Sequence, residues 1–372
     1  MTRLPAAFAV LLSSVSLFFP LASAQEPTPA PAIPSEFSNP VSEVYLADPQ
    51  CFYYQGTYYA VGTGQSEAGD EKLPNKVIPM IRSRDLQHWE PVGHLLEPPP
   101  EEKGGSFWAP EVHFDRGTFY LYYASNQGGK DDKGFHLRVA TSQTPEGPYV
   151  DTAHPLTDLS KNNFAIDSTA FRDDDGQWYL FYATDFYQSD ATTFRGTALV
   201  VDKLKSMTEL AGEPQTVMRA HWSWQLYLHN RLMGGKRADW YTLEGPAVIK
   251  HGGKYYCFYS GGNYANDTYG VDYLVADKIT GPWEESGRYR GPQIMRTVPG
   301  KVTGPGHNGL VSSPDGKTDY IIYHAWNKAM TRRQVWVDPI TWTDHGPEVA
   351  RFVERIQECN RQAEELHQKE KP

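Results

Sequence analysis

The sequence predicts an all-β fold, a five-bladed β-propeller, and three observations lead to it. The 372 residues include 23 tyrosines and 10 tryptophans, residue types that favour strands. The 32 glycines and 28 prolines divide the apolar runs into short segments, as turns between strands do. One pattern then recurs five times along the chain, which indicates a fold built from repeated units.

Each copy of the repeat reads as a β-hairpin. A polar or small residue opens an apolar run, a turn with glycine follows, and a tyrosine-rich strand completes the copy. A second strand pair comes after each hairpin, so every unit contains four short strands. Five such units describe a propeller, whereas a β-sandwich gives no reason for so regular a recurrence. The residues that open the five copies are Asp48, Ala109, Asp167, Glu244 and His307.

Composition divides the chain into four parts. Residues 1–24 have a basic start, an apolar run and a small-residue end, which predicts a cleaved signal peptide and a secreted or periplasmic protein. A membrane anchor would need a longer apolar stretch of about 20 residues. Residues 25–40 read as a proline-rich linker, residues 41–350 as the propeller and residues 351–372 as a helical tail. We expect the tail to pack on the propeller of a monomer, with dimerisation as the alternative.

Charge and cysteine content exclude several classes of function. The chain has 35 basic and 45 acidic residues, a net charge of −10, which argues against nucleic acids and other anionic partners. The three cysteines include no C-x-x-C pair, so neither a disulfide framework nor a zinc site is expected. After the signal peptide no segment is long and apolar enough to span a membrane, and no membrane partner is expected.

The repeat brings ionisable side chains together. In a propeller the innermost strand of every blade lines the central channel, so the residues that open the copies converge on one funnel. Three carboxyl groups and an imidazole would meet there, at a cost in desolvation and repulsion that packing does not explain. Glycoside hydrolysis needs two carboxyl groups, one to protonate the leaving oxygen and one to activate water or attack carbon. Glu244 has the reach of the acid, Asp48 suits the base, and Asp167 is expected to raise the pKa of the acid.

Five motifs resemble glycoside hydrolase family 43 over nearly the whole chain after the linker. The motifs are Ala47-Asp48-Pro49, Trp108-Ala109-Pro110-Glu111, Ala165-Ile166-Asp167, Leu243-Glu244-Gly245-Pro246 and Gly304-Pro305-Gly306-His307-Asn308. The resemblance implies inverting hydrolysis of arabinofuranosides or xylosides on a five-bladed propeller. It implies the roles of base, modulator and acid for Asp48, Asp167 and Glu244. His307 matches an axial histidine of the family, which implies a calcium or other hydrated cation nearby.

Aromatic residues are expected to bind the sugar. Trp108 precedes a small residue at the funnel and would form the floor of the sugar site. Residues 208–242 fall outside the repeat, and an aromatic-rich insertion of this length is usually functional. Trp224 and Trp240 of this insertion are therefore predicted to bind substrate, together with Asn308.

Three further polar residues are not expected to take part in catalysis directly. Strand alternation turns Glu111 away from the direction of Ala109, so a supporting role is expected for it. Arg332 and Arg333 are interpreted as exposed surface residues, with a hydrogen-bond donor to the sugar hydroxyls as the alternative. No cofactor is expected to be required, and a hydrated cation is predicted near His307, held through water.

The predicted function is hydrolysis of α-L-arabinofuranosides in plant cell-wall polysaccharides such as arabinan and arabinoxylan. Exo release is expected, because the insertion would block one end of the groove. The alternatives are a β-D-xylosidase on the same fold, a retaining hydrolase with Asp48 as nucleophile, and a carbohydrate-binding propeller without catalysis.

Overall fold

The computed structural model describes residues 31–64, 77–127, 134–158, 160, 164–233, 235–285 and 291–369. The predicted signal peptide and residues 25–30 of the predicted linker lie outside the described residues. Within these ranges no helix combines the length and apolarity that crossing a membrane requires.

The strands form five sheets, and the chain completes one sheet before it starts the next. The first sheet contains β1 (Ala47–Tyr54), β2 (Thr57–Thr63), β3 (Val77–Ser83) and β4 (Trp89–Leu96). The second contains β5 (Phe107–Asp115), β6 (Thr118–Ser125), β7 (His136–Ser142) and β8 (Val150–Asp151). The third contains β9 (Ala165–Arg172), β10 (Trp178–Phe186), β11 (Gly196–Ser206), β12 (Glu209–Leu210), β13 (Gln215–Met218), β14 (Leu226–Met233) and β15 (Lys236–Tyr241). The fourth contains β16 (Leu243–His251), β17 (Lys254–Gly261), β18 (Gly270–Ala276) and β19 (Glu284–Glu285). The fifth contains β20 (Thr303–Ser312), β21 (Asp319–Trp326), β22 (Arg333–Thr343) and β23 (Gly346–Glu348).

The number of strands per sheet departs from the prediction in one place. Four sheets have four strands each in chain order, as blades of a propeller do, but the third has seven. It holds β9, β10, β11 and β13 as an antiparallel set, and the hairpin β14–β15 joins β11 through one parallel pair, Gly196 with Tyr241. The all-β propeller is confirmed, whereas the prediction of five equal four-stranded blades holds for four sheets, because the insertion adds its strands to the third.

Short turns that need left-handed backbone explain several hairpins. Gln55 and Gly56 join β1 to β2 with φ values of 45° and 84°, as a two-residue hairpin of the right twist requires. Gly252 and Gly253 join β16 to β17 in the same way, with φ values of 56° and 80°.

Apolar clusters lie between neighbouring sheets all round the ring. One cluster is shared by the first and second sheets, and includes Tyr59 and Leu121. The largest joins the second, third and fourth sheets, and another joins the fourth, the fifth and the C-terminal helix. A cluster with Tyr58 and Ile322 joins the fifth sheet back to the first. Face-to-face packing of twisted sheets, each against the next, is what closes the propeller.

The fifth and first sheets meet without a shared strand, and we call this contact the seam. Residues 37–42 run beside β22, where the Val41 N–H donates to the Val335 carbonyl at 2.9 Å. The Asn39 side chain donates to the Val337 carbonyl and accepts from its N–H, each at 2.8 Å. The ring is therefore closed by side-chain packing, by these hydrogen bonds and by one isolated antiparallel bridge between Ser42 and Val335.

Two 3-10 helices, Pro100–Glu102 and Ser223–Gln225, and one α-helix complete the described fold. The α-helix, α1, spans Ala350–Lys369 and packs Phe352, which is fully buried, against the fifth sheet. The Arg351 guanidinium forms two hydrogen bonds of 2.9 Å with the Asp338 carboxylate of β22.

Candidate active site

All five inner strands are interrupted by an irregularity at the same place. The antiparallel register breaks between residues 47 and 50, and at matching positions in the other four strands. The first residue of each break has a left-handed φ between 41° and 58°. These residues are Asp48, Ala109, Asp167, Gly245 and His307. Such bulges turn side chains out of the regular alternation, and here they turn them towards the ring axis.

This alignment corrects the predicted position of Glu244. The sequence repeat placed it beside Asp48 and Asp167, but the left-handed position in the fourth sheet belongs to Gly245. A side chain there would meet the His307 ring at 3.2 Å, which explains why the position has none. Glu244 precedes the bulge by one residue, at the place that Trp108 occupies in the second sheet.

A cavity of about 400 Å³ opens where the inner strands begin, and residues from all five strands line it. They are Asp48, Trp108, Asp167, Glu244 and His307, and Arg333 from β22 joins them. The predicted acid, base and modulator are thus brought together in one pocket.

Both oxygens of the Asp48 carboxylate are held. Oδ1 accepts a hydrogen bond from Arg333 Nη1 at 2.9 Å, and Oδ2 accepts one from the Thr63 hydroxyl at 2.6 Å. Burial by itself raises the pKa of Asp48, but the charges of Arg333 and His307 and the contact with His324 outweigh it and lower the pKa well below its usual value. Asp48 is therefore ionised over the whole physiological range.

Thr63 and His324 fix the backbone at the left-handed positions. The Thr63 hydroxyl oxygen also accepts the Ala109 N–H at 2.9 Å, so one side chain links the first two bulges. His324 Nδ1 accepts the Asp48 N–H at 3.1 Å across the seam, which requires that nitrogen to be unprotonated. Burial lowers the pKa of His324 to about 4, so the ring is neutral and remains an acceptor near pH 7.

Glu244 has the opposite electrostatic environment. Burial raises its pKa to about 7, and the negative charge of Asp48 adds to the rise, while a hydrogen bond from Tyr269 and the charge of Arg333 oppose it. The Tyr269 hydroxyl donates to Glu244 Oε1 at 2.6 Å. A carboxyl group with this pKa holds a proton in neutral solution for a substantial part of the time.

Asp167 is buried beside Glu244. Its Oδ2 accepts the Gly245 N–H at 3.1 Å. Burial raises the pKa of Asp167 well above its usual value, and the charges of Glu244 and Asp48 raise it further. The pKa of Glu244 is raised by burial and Asp48, so Asp167 does not act on it as the simple fixed charge that the sequence suggested. The two carboxyl groups titrate as a pair.

The His307 ring lies beside the Asp48 carboxylate and not among a set of metal-binding side chains. Its Nδ1 lies 3.5 Å from Asp48 Oδ1, and the backbone N–H of His307 donates to the Ser260 hydroxyl oxygen at 2.8 Å. In the described ranges no cluster of three or more His, Cys, Asp or Glu side chains is arranged to hold a metal ion. These residues do not fit a tight, direct metal site, and an ion beside His307 would take most of its ligands from water.

We expect chelation to lower activity in part and to leave the fold intact. A calcium ion takes roughly 6–8 oxygen ligands, and a site that supplies few of them from protein holds the ion weakly. The measurement is kcat and the melting temperature before and after dialysis against EDTA, with calcium then restored. A complete, calcium-reversible loss of folding would contradict this expectation and indicate a structural metal site.

The sequence profile of glycosyl hydrolases family 43 matches residues 37–347 of the chain. The chain belongs to this family. Among curated proteins, the β-D-galactofuranosidase xynD of Aspergillus niger is 27% identical over 299 residues, 77% of this chain and 75% of that protein. An extracellular exo-α-(1→5)-L-arabinofuranosidase of Streptomyces avermitilis is 27% identical over 318 residues, 80% of this chain and 58% of that protein. The crystal structure of a thermostable family-43 glycoside hydrolase superposes with a TM-score of 0.70 at 30% identity, covering 85% of this chain and 96% of that one.

Of the predicted substrate-binding residues, only Trp108 lines the family 43 pocket. Its ring stacks on Phe135 with the ring centroids 3.9 Å apart, which supports it from behind. Asn308 is fully buried below the pocket, since it follows the bulge, and its carbonyl accepts from Gln50. Trp240 is also buried, against Tyr187.

Trp224 and Glu111 likewise lie outside the pocket. Trp224 packs against Gly261 and lines a different cavity. Glu111 forms a hydrogen bond with His113 further along β5, with Glu111 Oε1 2.6 Å from His113 Nε2. Tyr227 of the insertion does not line the family 43 pocket, but its ring centroid lies 6.3 Å from that of Tyr264, which does.

Sequence reasoning missed the residues that hold the carboxyl groups. Arg333 was interpreted as an exposed surface residue, but its side chain is 12% exposed and is paired with Asp48. Thr63, Tyr269 and His324 were not predicted at all. The signal available was the position of Thr63 at the end of β2 and of His324 near the end of β21, each beside the bulge of the inner strand it pairs with.

Proposed function

We propose that this family 43 chain is an inverting glycoside hydrolase with Asp48 as general base, Glu244 as general acid and Asp167 as the partner that modulates the acid. The observation that supports this most is the division between two carboxyl groups in one pocket. The pKa of Asp48 is lowered well below its usual value, and that of Glu244 is raised to about 7. One carboxylate accepts a proton while the other carboxylic acid donates one, as hydrolysis of a glycosidic bond requires.

The contacts of Asp48 suit a base that must not move. Arg333 and Thr63 each hold one oxygen, and the remaining lone pairs can accept a proton from water. Glu244 gives its proton to the leaving oxygen as the bond to the anomeric carbon breaks. After turnover Asp48 is protonated and Glu244 ionised, and exchange with solvent restores both.

Activity should be lost as the pH rises through about 7. Glu244 must be protonated, and its pKa is about 7, so kcat/KM on a natural glycoside is expected to fall about tenfold per pH unit above that value. Asp48 must be ionised, and its lowered pKa moves the acid limb below the pH range in which an ordinary aspartate titrates. The profile is to be measured with the unmodified enzyme and with Glu244→Gln. An alkaline limb that stays in the variant would belong to another group.

We propose α-L-arabinofuranosides as substrates, with exo release more than endo cleavage. The names of the two relatives describe enzymes that act on furanosides, and one is named as an exo-acting enzyme. The stacking of Tyr227, from the insertion, on Tyr264 of the pocket wall supports an insertion that closes one end of the substrate groove. The second relative is named as extracellular, which supports a secreted enzyme.

A substrate panel tests this proposal. An aryl α-L-arabinofuranoside is expected to have a higher kcat/KM than an aryl β-D-xyloside, and linear arabinan should release arabinose from the start. Proton NMR of the first product should show the inverted anomer. Faster turnover of the xyloside would make the chain a β-D-xylosidase, and oligomers as the first products would make it endo-acting. A retained anomer would assign Asp48 as a nucleophile, and absence of turnover would favour a carbohydrate-binding propeller.

A further inference from the structure

A second cavity of about 400 Å³ lies beside the fourth sheet. Its walls come from the 3-10 helix Ser223–Gln225, the loop before β18, residues 292–299 and α1. Two arginines line it, Arg296 and Arg355, and we call it the arginine cavity. Tyr269, the hydrogen-bond partner of Glu244, forms part of its wall and links it to the active site.

The guanidinium of Arg296 is half-buried and has no ion-pair or hydrogen-bond partner among the residues described here. Burial and the like charge of Arg355 lower its pKa, and the nearby Asp272 opposes that only in part. Asp272 is near, but burial raises the pKa of Asp272 to about 8, so that side chain is mostly neutral at pH 7. Arg296 therefore contributes an uncompensated positive charge to the arginine cavity.

Arg355 supplies a second set of donors. Its Nη1 donates to Glu358 at 2.7 Å, while its Nε is buried without a hydrogen-bond partner in the described part of the chain. A buried donor without a partner costs stability, and a bound acceptor would remove that cost. Asp267 also lines the arginine cavity and is exposed. Its carboxylate would repel a ligand with two negative charges more strongly than a ligand with one.

Trp224 gives the arginine cavity an aromatic wall. Its ring packs against Gly261, where a larger residue would collide with it at 2.7 Å, and it lies near-parallel to Tyr259 at 6.2 Å. An aromatic face fixed in this way offers a flat apolar surface to the C–H face of a sugar ring. Hydroxyl-bearing residues such as Ser223 and Thr268 line the same cavity.

We propose that the arginine cavity binds a sugar that carries one carboxylate, a hexuronic acid residue. A guanidinium matches a carboxylate with two parallel hydrogen bonds, and Trp224 matches the ring. The net charge of −10 repels anions from most of the surface. The arginine cavity is an exception, because Arg296 gives it a local positive charge that attracts a carboxylate. This assignment is separate from hydrolysis, because the arginine cavity and the active-site cavity share no lining residue.

The test is a binding titration with sodium glucuronate, glucose and sodium acetate, followed by NMR. Glucuronate is expected to bind at least about tenfold more tightly than either glucose or acetate, because only it has both the ring and the charge. Arg296→Gln should weaken glucuronate binding about tenfold or more. Arg116→Gln is the matched control, since it removes the same charge from a side chain that is 87% exposed.

A chemical readout on the unmodified protein keeps the test independent of how the variants fold. Cys359 lines the arginine cavity, whereas burial raises the pKa of the Cys51 and Cys257 thiols and keeps them unreactive. Glucuronate should slow alkylation of Cys359 by iodoacetamide, as read by mass spectrometry, and glucose should not. Equal affinity for acetate and glucuronate would overturn the sugar assignment. Unchanged alkylation together with unchanged affinity in Arg296→Gln would overturn the site.

Discussion

Asp48→Asn is expected to lower kcat by about 10²- to 10⁴-fold on every glycoside, including aryl glycosides with good leaving groups. An amide cannot take a proton from water, and no leaving group removes the need to activate that water. Asparagine keeps the shape of the side chain, but its single amide oxygen can accept from only one of Arg333 and Thr63. If that oxygen faces Arg333, the amide NH2 can donate to the Thr63 hydroxyl oxygen, so KM should change much less than kcat. The measurement is kcat and KM on an aryl arabinofuranoside and on an arabino-oligosaccharide.

Two controls separate chemistry from stability in this variant. Asp151→Asn breaks a comparable buried pair, in which Arg138 contacts the carboxylate at 2.7 Å, but far from the pocket. It is expected to lower the melting temperature and to leave kcat unchanged. Azide needs no base, so it should restore turnover of Asp48→Asn and yield a glycosyl azide of inverted configuration. Full activity of Asp48→Asn, or an azide product of retained configuration, would contradict the assignment of the base.

Glu244→Gln is expected to lose most activity on natural glycosides but much less on aryl glycosides. The acid assists only when the leaving group is poor, and a phenolate with a low pKa departs without a proton. General-acid assistance contributes about 10²- to 10⁴-fold, so the two substrate classes should separate clearly. The measurement is a plot of log kcat/KM against the leaving-group pKa, which should become steeper in the variant.

Glu111→Gln is the matched control for this experiment. Glu111 is another buried glutamate on an inner strand, but it does not line the active-site cavity. It should show the same leaving-group dependence as the unmodified enzyme. Equal losses on aryl and natural substrates in Glu244→Gln would assign the acid elsewhere.

The repeat made much of the architecture and the central carboxyl groups predictable. Once five copies were aligned, topology alone brought Asp48, Asp167 and His307 to one axis, because strands that start each copy line the centre of the ring. The predicted alignment of the five copies was wrong by one residue in the fourth copy. It placed Glu244 at the position of Asp48 and Asp167 because all three are carboxylates. The backbone requirement there is a left-handed residue next to His307, and Gly245 meets it.

The partners of the carboxyl groups were not predictable from local sequence. Arg333 and His324 come from later strands of the fifth sheet and Tyr269 from the loop before β18, and their contacts depend on how neighbouring sheets meet. The tryptophans of the insertion were expected at the substrate because they are aromatic. In the structure Trp240 stabilises the base of the hairpin instead, since a projecting hairpin needs a core of its own.

Heat inactivation is expected to begin with separation of the first and fifth sheets at the seam. Asp48 lies on one side of it, while the Arg333 and His324 side chains that hold its carboxylate and N–H come from the other. The two sheets share no strand, and the backbone link between them is the short pairing of residues 37–42 with β22, so a small parting of the ring would release the base before any sheet loses its own hydrogen bonds. Loss of turnover on warming would then precede loss of β-structure, and activity would be a sensitive measure of whether the first and fifth sheets are in contact.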